Sequence, residues 1–139
     1  MRKIFKLVAL ALPLLCGPAR SQETLFDEMG GKTGIDHLVD ISVDKYLADP
    51  RIKDIFSESN IDRIRSELKD QFCVVANGPC QYTGHSMAAA HKGLHLTNAN
   101  FNALVEDLQD AMDECAIAFA VQNRFLARLA PMQQQVVTR

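Results

Sequence analysis

The apolar residues of this chain recur at intervals of three and four, and that period constrains the fold more than any other feature. From Ile35 they run Leu38, Val39, Val43, Tyr46 and Leu47, and from Ile61 they run Ile64, Leu68, Phe72 and Val75. A third set holds Phe101, Leu104, Val105, Leu108, Met112 and Cys115, and a fourth Phe119, Phe125, Leu126 and Leu129. Residues three and four apart share one face of an α-helix, so each set predicts an amphipathic helix that must bury its stripe against another. The breaks agree with this reading. Asp49-Pro50 and Asn77-Gly78-Pro79 stop helices, while Asn60 and Thr97 stand where N-caps belong. A shorter helical run, Met87 to His91, closes near Gly93. No strand-like alternation of apolar and polar residues competes, so the fold class is all-α.

Residues 1–21 read as a secretory signal peptide rather than as fold. Arg2, Lys3 and Lys6 precede a short apolar stretch, Leu7 to Leu15, and Ala19-Arg20-Ser21 places small residues where a signal peptidase reads. The stretch falls well short of the ~20 apolar residues that span a bilayer, so the chain is not expected to be membrane-embedded. Leu15 before Cys16 disfavours lipidation, since a small residue belongs there. Cleavage before Gln22 leaves one domain, residues 22–139, in an exported, periplasmic or secreted protein. It carries eleven basic residues against 17 acidic ones, a net −6, which disfavours a nucleic-acid or anionic-membrane partner.

The chemistry-bearing residues are few. His85, His91 and His95 lack the paired spacing of a zinc site, and no CxxCH, P-loop or Ser-His-Asp pattern is present. Cys73 and Cys80 bracket the Gly78-Pro79 turn with six residues between them. Such a turn can bring two α-carbons within the ~4.4–6.8 Å that a disulfide needs, so a bridge is expected, with two free thiols as the alternative. Cys115 follows the core face of its helix as a buried thiol. Periodicity alone stops here, at a small helical domain.

Several segments carry more. In order they are Leu25-Phe26-Asp27-Glu28-Met29-Gly30-Gly31, Leu47-Ala48-Asp49-Pro50-Arg51-Ile52, Phe56, Gly78 to Met87, Ala90-His91-Lys92-Gly93-Leu94, Phe101, and Leu129-Ala130-Pro131-Met132. Together, over residues 24 to 132, they resemble the group 1 truncated haemoglobins, which fold as a two-over-two helical sandwich. The resemblance implies a haem b cofactor (iron protoporphyrin IX) with His91 as the iron's protein ligand. It implies Phe56 packed flat on the macrocycle, with Phe72, Met87, Leu94 and Phe101 as pocket walls. Arg63 and Tyr82 fall where the rim meets the propionates.

On the distal side the sequence departs from better-known members of that family. Val43, Ile64 and Leu68 occupy positions where those relatives often carry tyrosine or glutamine, and Tyr46 is three residues past the tyrosine position. A hydrogen bond to a charged acceptor is worth roughly 1.5–3 kcal/mol, about 10- to 150-fold in a dissociation rate. Without that donor the site is expected to hold dioxygen loosely, unless Tyr46 reaches in. The distal helix has no histidine to close the sixth iron position, and none follows His95 to cross-link a haem. The implied function is reversible binding of a diatomic ligand, dioxygen or nitric oxide. The alternatives are nitric oxide dioxygenation or other haem redox chemistry served by an external reductase, and a helical interaction module without haem.

Overall fold

The structure, a computed structural model, describes residues 23–138. The expected signal peptide lies outside the described residues. Helix α2, Gly31–Ala48, is the element on which the others assemble. Its inward stripe of Ile35, Leu38, Val39 and Val43 is at most 1 % exposed. That stripe packs on two long helices at once, α3 (Ile61–Val75) and α5 (Asn98–Glu114). The short α1 (Leu25–Glu28) and the end of α3 lean on α6 (Phe119–Leu129). Between α3 and α6, Phe72 meets Phe125 edge to face, with ring centres 5.0 Å apart. Two short helices complete the chain, α4 (Met87–Ala90) and α7 (Gln133–Val136), with 3₁₀ turns at Lys53–Phe56 and Ala130–Met132.

The ends of the elements follow from local chemistry. Asn60 accepts a hydrogen bond from the Arg63 amide at 3.0 Å, and Thr97 forms a reciprocal capping box with Asn100. Helix α2 begins at Gly31, four residues before the apolar stripe that the sequence marks from Ile35. Gly30 sits at φ +85°, a left-handed turn that redirects the chain from α1 into α2 at little steric cost. The last amphipathic set ends at Leu129, as its periodicity suggested, and further structure follows it. Pro131 enters a 3₁₀ turn, and α7 then carries the chain back until the Thr138 amide donates to the Leu96 carbonyl at 3.0 Å.

The end of α3 is fixed most firmly. Asn77 adopts φ +63°, and the Gly78 and Asn77 amides donate back to the Cys73 and Val74 carbonyls at 2.8 and 2.9 Å. This paired closure satisfies carbonyls that a helix end otherwise leaves orphaned. Arg128 of α6 donates to the Val75 carbonyl at 2.7 Å and satisfies another. A side chain at position 78 would run into the Phe26 ring and the Cys73 sulfur, so glycine is required there. The turn delivers Cys80 to Cys73, and the two form a disulfide with α-carbons 5.9 Å apart. Cys115 is a free thiol, half-buried rather than fully enclosed, and burial pushes its pKa up.

The disulfide closes a short loop, and in the chain-entropy account such closure stabilises a fold by roughly 2–3 kcal/mol. Replacing both Cys73 and Cys80 by serine should lower the denaturant midpoint by that equivalent. An unchanged midpoint in the unreduced protein would show that the bridge does not form in solution.

Candidate functional site

Beside the α2 core lies an apolar cavity of about 700 Å³. Its walls come from every long helix. Tyr46 of α2 contributes, and the 3₁₀ turn supplies Ile55 and Phe56. Ile64, Leu68, Gln71 and Phe72 come from one face of α3, where their spacing is helical. Met87 and His91 bound it from α4 and its C-cap, followed by Leu94, while Phe101, Leu104 and Leu108 come from α5. Phe56, Ile64, Leu68, Met87 and Phe101 are only partly buried although apolar, and Leu94 is 45 % exposed. Apolar side chains left half-covered around a shared concavity are the setting in which a large apolar ligand gains most from burial.

His91 is positioned by its own helix. Its ring Nδ1 lies 2.8 Å from the Met87 carbonyl one turn back. A carbonyl can only accept, so Nδ1 carries a proton, and in the neutral ring the lone pair is then on Nε2. A neutral imidazole with one nitrogen anchored and the other free is the state that binds a metal. Among the described residues, no three His, Cys, Asp or Glu side chains converge as a metal site in their own right.

The polar rim is a small network rather than a set of free cations. Arg63 donates to Glu67 at 2.7 Å and bonds His85 Nδ1 at 3.1 Å. The Tyr82 hydroxyl donates to the His85 carbonyl at 2.7 Å. Arg63 and Tyr82 therefore stand at the cavity mouth as the sequence placed them, joined by His85. His85 escaped notice because the contact joins α3 to a loop twenty-two residues away. Gln71 was also missed. It sits three residues after Leu68 on the same face, 9 % exposed, with its amide 3.3 Å from the Met87 sulfur and 3.6 Å from that of Met132. The period of α3 did hold that signal.

Of the expected distal residues, Ile64, Leu68 and Tyr46 line the cavity and Val43 does not. Val43 is 1 % exposed within the packed core, and its short side chain stops there. One turn on, the longer Tyr46 reaches the cavity wall, its ring nearly parallel to Phe56 at 6.2 Å. The Tyr46 hydroxyl is buried with no hydrogen-bond partner. Burial pushes its pKa up, opposed by the Ser42 side chain and reinforced by the charge of Asp107.

A wholly helical chain whose α2 core supports an apolar cavity, with one anchored imidazole on the wall, defines a small globin of the truncated kind. Comparison with known proteins agrees. The family profile described as Bacterial-like globin matches residues 24–138. A group 1 truncated hemoglobin of Tetrahymena thermophila is 33 % identical over 99 residues, covering 71 % of this chain and 82 % of that one. Another, from Synechocystis, is 32 % identical over 98 residues, covering 68 % of this chain and 79 % of its own. The crystal structure of truncated hemoglobin from Tetrahymena pyriformis in its Fe(III) form superimposes with a TM-score of 0.81 at 27 % identity, covering 84 % of this chain and all of that one. The chain belongs to the bacterial-like globin family, among its group 1 truncated haemoglobins.

Proposed function

We propose that the protein binds one haem b in the 700 Å³ cavity, with His91 Nε2 as the iron's protein ligand, and reversibly binds a diatomic molecule on the opposite side. The observation that carries this reading is the anchored imidazole on an apolar wall. The Met87 carbonyl holds Nδ1–H at 2.8 Å, which fixes the ring and leaves Nε2 as the electron-pair donor. When bound, haem supplies an iron that coordinates dioxygen, nitric oxide or carbon monoxide. The protein's part is to bind, orient and exclude water.

Phe56, Phe72, Leu94 and Phe101 would cover the macrocycle and keep its surroundings dry. Among the described residues, Arg63 is the one arginine or lysine lining the cavity, and His85, itself bonded by Tyr82, holds it to the loop. Those three are the candidates to meet the propionates. On the distal side Ile64 and Leu68 offer no hydrogen-bond donor, whereas Tyr46 brings a buried hydroxyl to the cavity wall. Export of the domain through cleavage near Ser21 completes the proposal. It is supported by the basic start, short apolar run and small residues of segment 1–21.

His91→Ala removes the proposed bond to iron and should lose most of its Soret absorbance, or recover it only with added imidazole. A fully loaded variant with an unaltered ferrous carbon-monoxide spectrum would overturn the assignment. For export, N-terminal sequencing of the protein recovered from outside the cytoplasm should begin at Gln22. An intact Met1 start there, or retention in the cytoplasm, would contradict it.

A further inference from the structure

We infer that Gln71 is a positioning residue for the His91 imidazole, acting through the Met87 side chain that its amide holds. The consequence for iron ligation rests on the haem reading above, while the coupling itself is a property of the protein chain.

The need for such a residue comes from the weakness of α4. A helix of four residues satisfies few of its own backbone groups and has little stability of its own. Packing adds little, because from His85 to His95 every residue is exposed except Met87 and His91. Ala88, Ala89 and Ala90 have side chains too short to reach back into the domain. Within α4, Met87 is therefore the side chain that moors the helix. Its carbonyl accepts from the His91 amide at 3.2 Å and from the His91 ring Nδ1 at 2.8 Å. A shift of Met87 is passed directly to the imidazole.

What holds Met87 lies on α3. Gln71 is 9 % exposed, and its amide nitrogen stands 3.3 Å from Met87 Sδ and 3.6 Å from Met132 Sδ. A thioether can only accept, so the nitrogen faces the sulfurs, and its two hydrogens serve one sulfur each. Met132 closes the 3₁₀ turn that leads into α7, and α7 packs on α4. One amide thus ties α3 to α4 and to the segment that backs α4. Packing alone does not call for glutamine here. A methionine of the same length would fill the space without burying an amide nitrogen against two weak acceptors. The glutamine adds direction, because a hydrogen bond weakens steeply off its axis and a flexible thioether otherwise settles in several ways.

With Met87 held, its carbonyl stays aligned on Nδ1–H and Nε2 presents its lone pair to the cavity. Once the hold is lost, the ring gains access to the tautomer protonated on Nε2, which cannot ligate a metal through that nitrogen.

The test follows the His91 ring by nitrogen NMR in the haem-free protein, in mildly alkaline solution, where the two neutral tautomers differ in their nitrogen shifts. Gln71→Met keeps the length and removes the donor. It should raise the share of the Nε2-protonated tautomer by roughly 3-fold, near the low end of what one hydrogen bond is worth. Met87→Leu should do the same, and the two changes together should do no more than either. Exchanging the partners, Gln71→Met with Met87→Gln, rebuilds an amide–thioether pair in the opposite sense and should return the ratio to that of wild type. In the haem-loaded ferrous protein, Gln71→Met should lower and broaden the iron–histidine stretching band, and the exchange should restore it. A tautomer ratio unchanged in Gln71→Met, or still raised in the exchanged pair, overturns the inference. Should Gln71→Met fail to fold, Gln71→Leu takes its place under the same criteria. A wild type that takes up no haem overturns the proposed function instead, and the haem-free measurement still decides the coupling.

Discussion

The buried stripe of α2 is the constraint on which everything else in this fold depends. A domain this small has little core to give away, yet it keeps an apolar cavity of about 700 Å³ in its middle. It can do so because Ile35, Leu38, Val39 and Val43 are completely enclosed and engage α3 and α5 together. Those two helices are thereby held as cavity walls instead of collapsing onto each other. Each fully buried aliphatic side chain contributes roughly 1.5–3 kcal/mol, so the four residues of the stripe are a substantial source of stability. The Phe72–Phe125 contact and the disulfide at the end of α3 secure the far side of the same wall.

Exposed charges complete the frame without carrying it. Arg65 donates to the Asp40 carbonyl at 2.8 Å, and Lys69 meets the Asp40 carboxylate at 2.9 Å, tying α3 to α2 across the surface. Pairs of this kind contribute about 1 kcal/mol or less each. The interior polar groups matter more for function than for stability. Val43 spends its side chain on the core, and that leaves Tyr46, one turn later, as the distal group with chemistry to offer. The expectation of a loose hold on dioxygen therefore turns on whether the Tyr46 hydroxyl reaches the bound ligand.

Much of this architecture was legible in the sequence, because helical period and stop signals are local. Asn60, Thr97 and Asn77-Gly78 marked their helix ends correctly, and the six residues between Cys73 and Cys80 were enough to expect their bridge. Ile64, Leu68 and Phe72 of α3 and Phe101 of α5 line the cavity because their spacing places them on inward faces. What escaped was long-range or a matter of reach. No local pattern says that His85 will meet Arg63, twenty-two residues away. Val43 and Tyr46 share a helix face, so period alone could not tell which side chain extends to the cavity. The start of α2 was also hidden, since glycines inside a helix look like a turn until packing overrides their propensity.

The central claim is that the cavity beside α2 is a haem site whose only protein ligand is an imidazole. It is tested most directly by titrating the haem-free protein with haem and recording absorbance, first oxidised and then reduced under carbon monoxide. The account predicts saturation at one haem per chain, with a ferrous carbon-monoxide spectrum characteristic of haem ligated by histidine. A spectrum that remains that of free haem at every ratio would contradict it and leave a helical domain with an apolar cavity of another use.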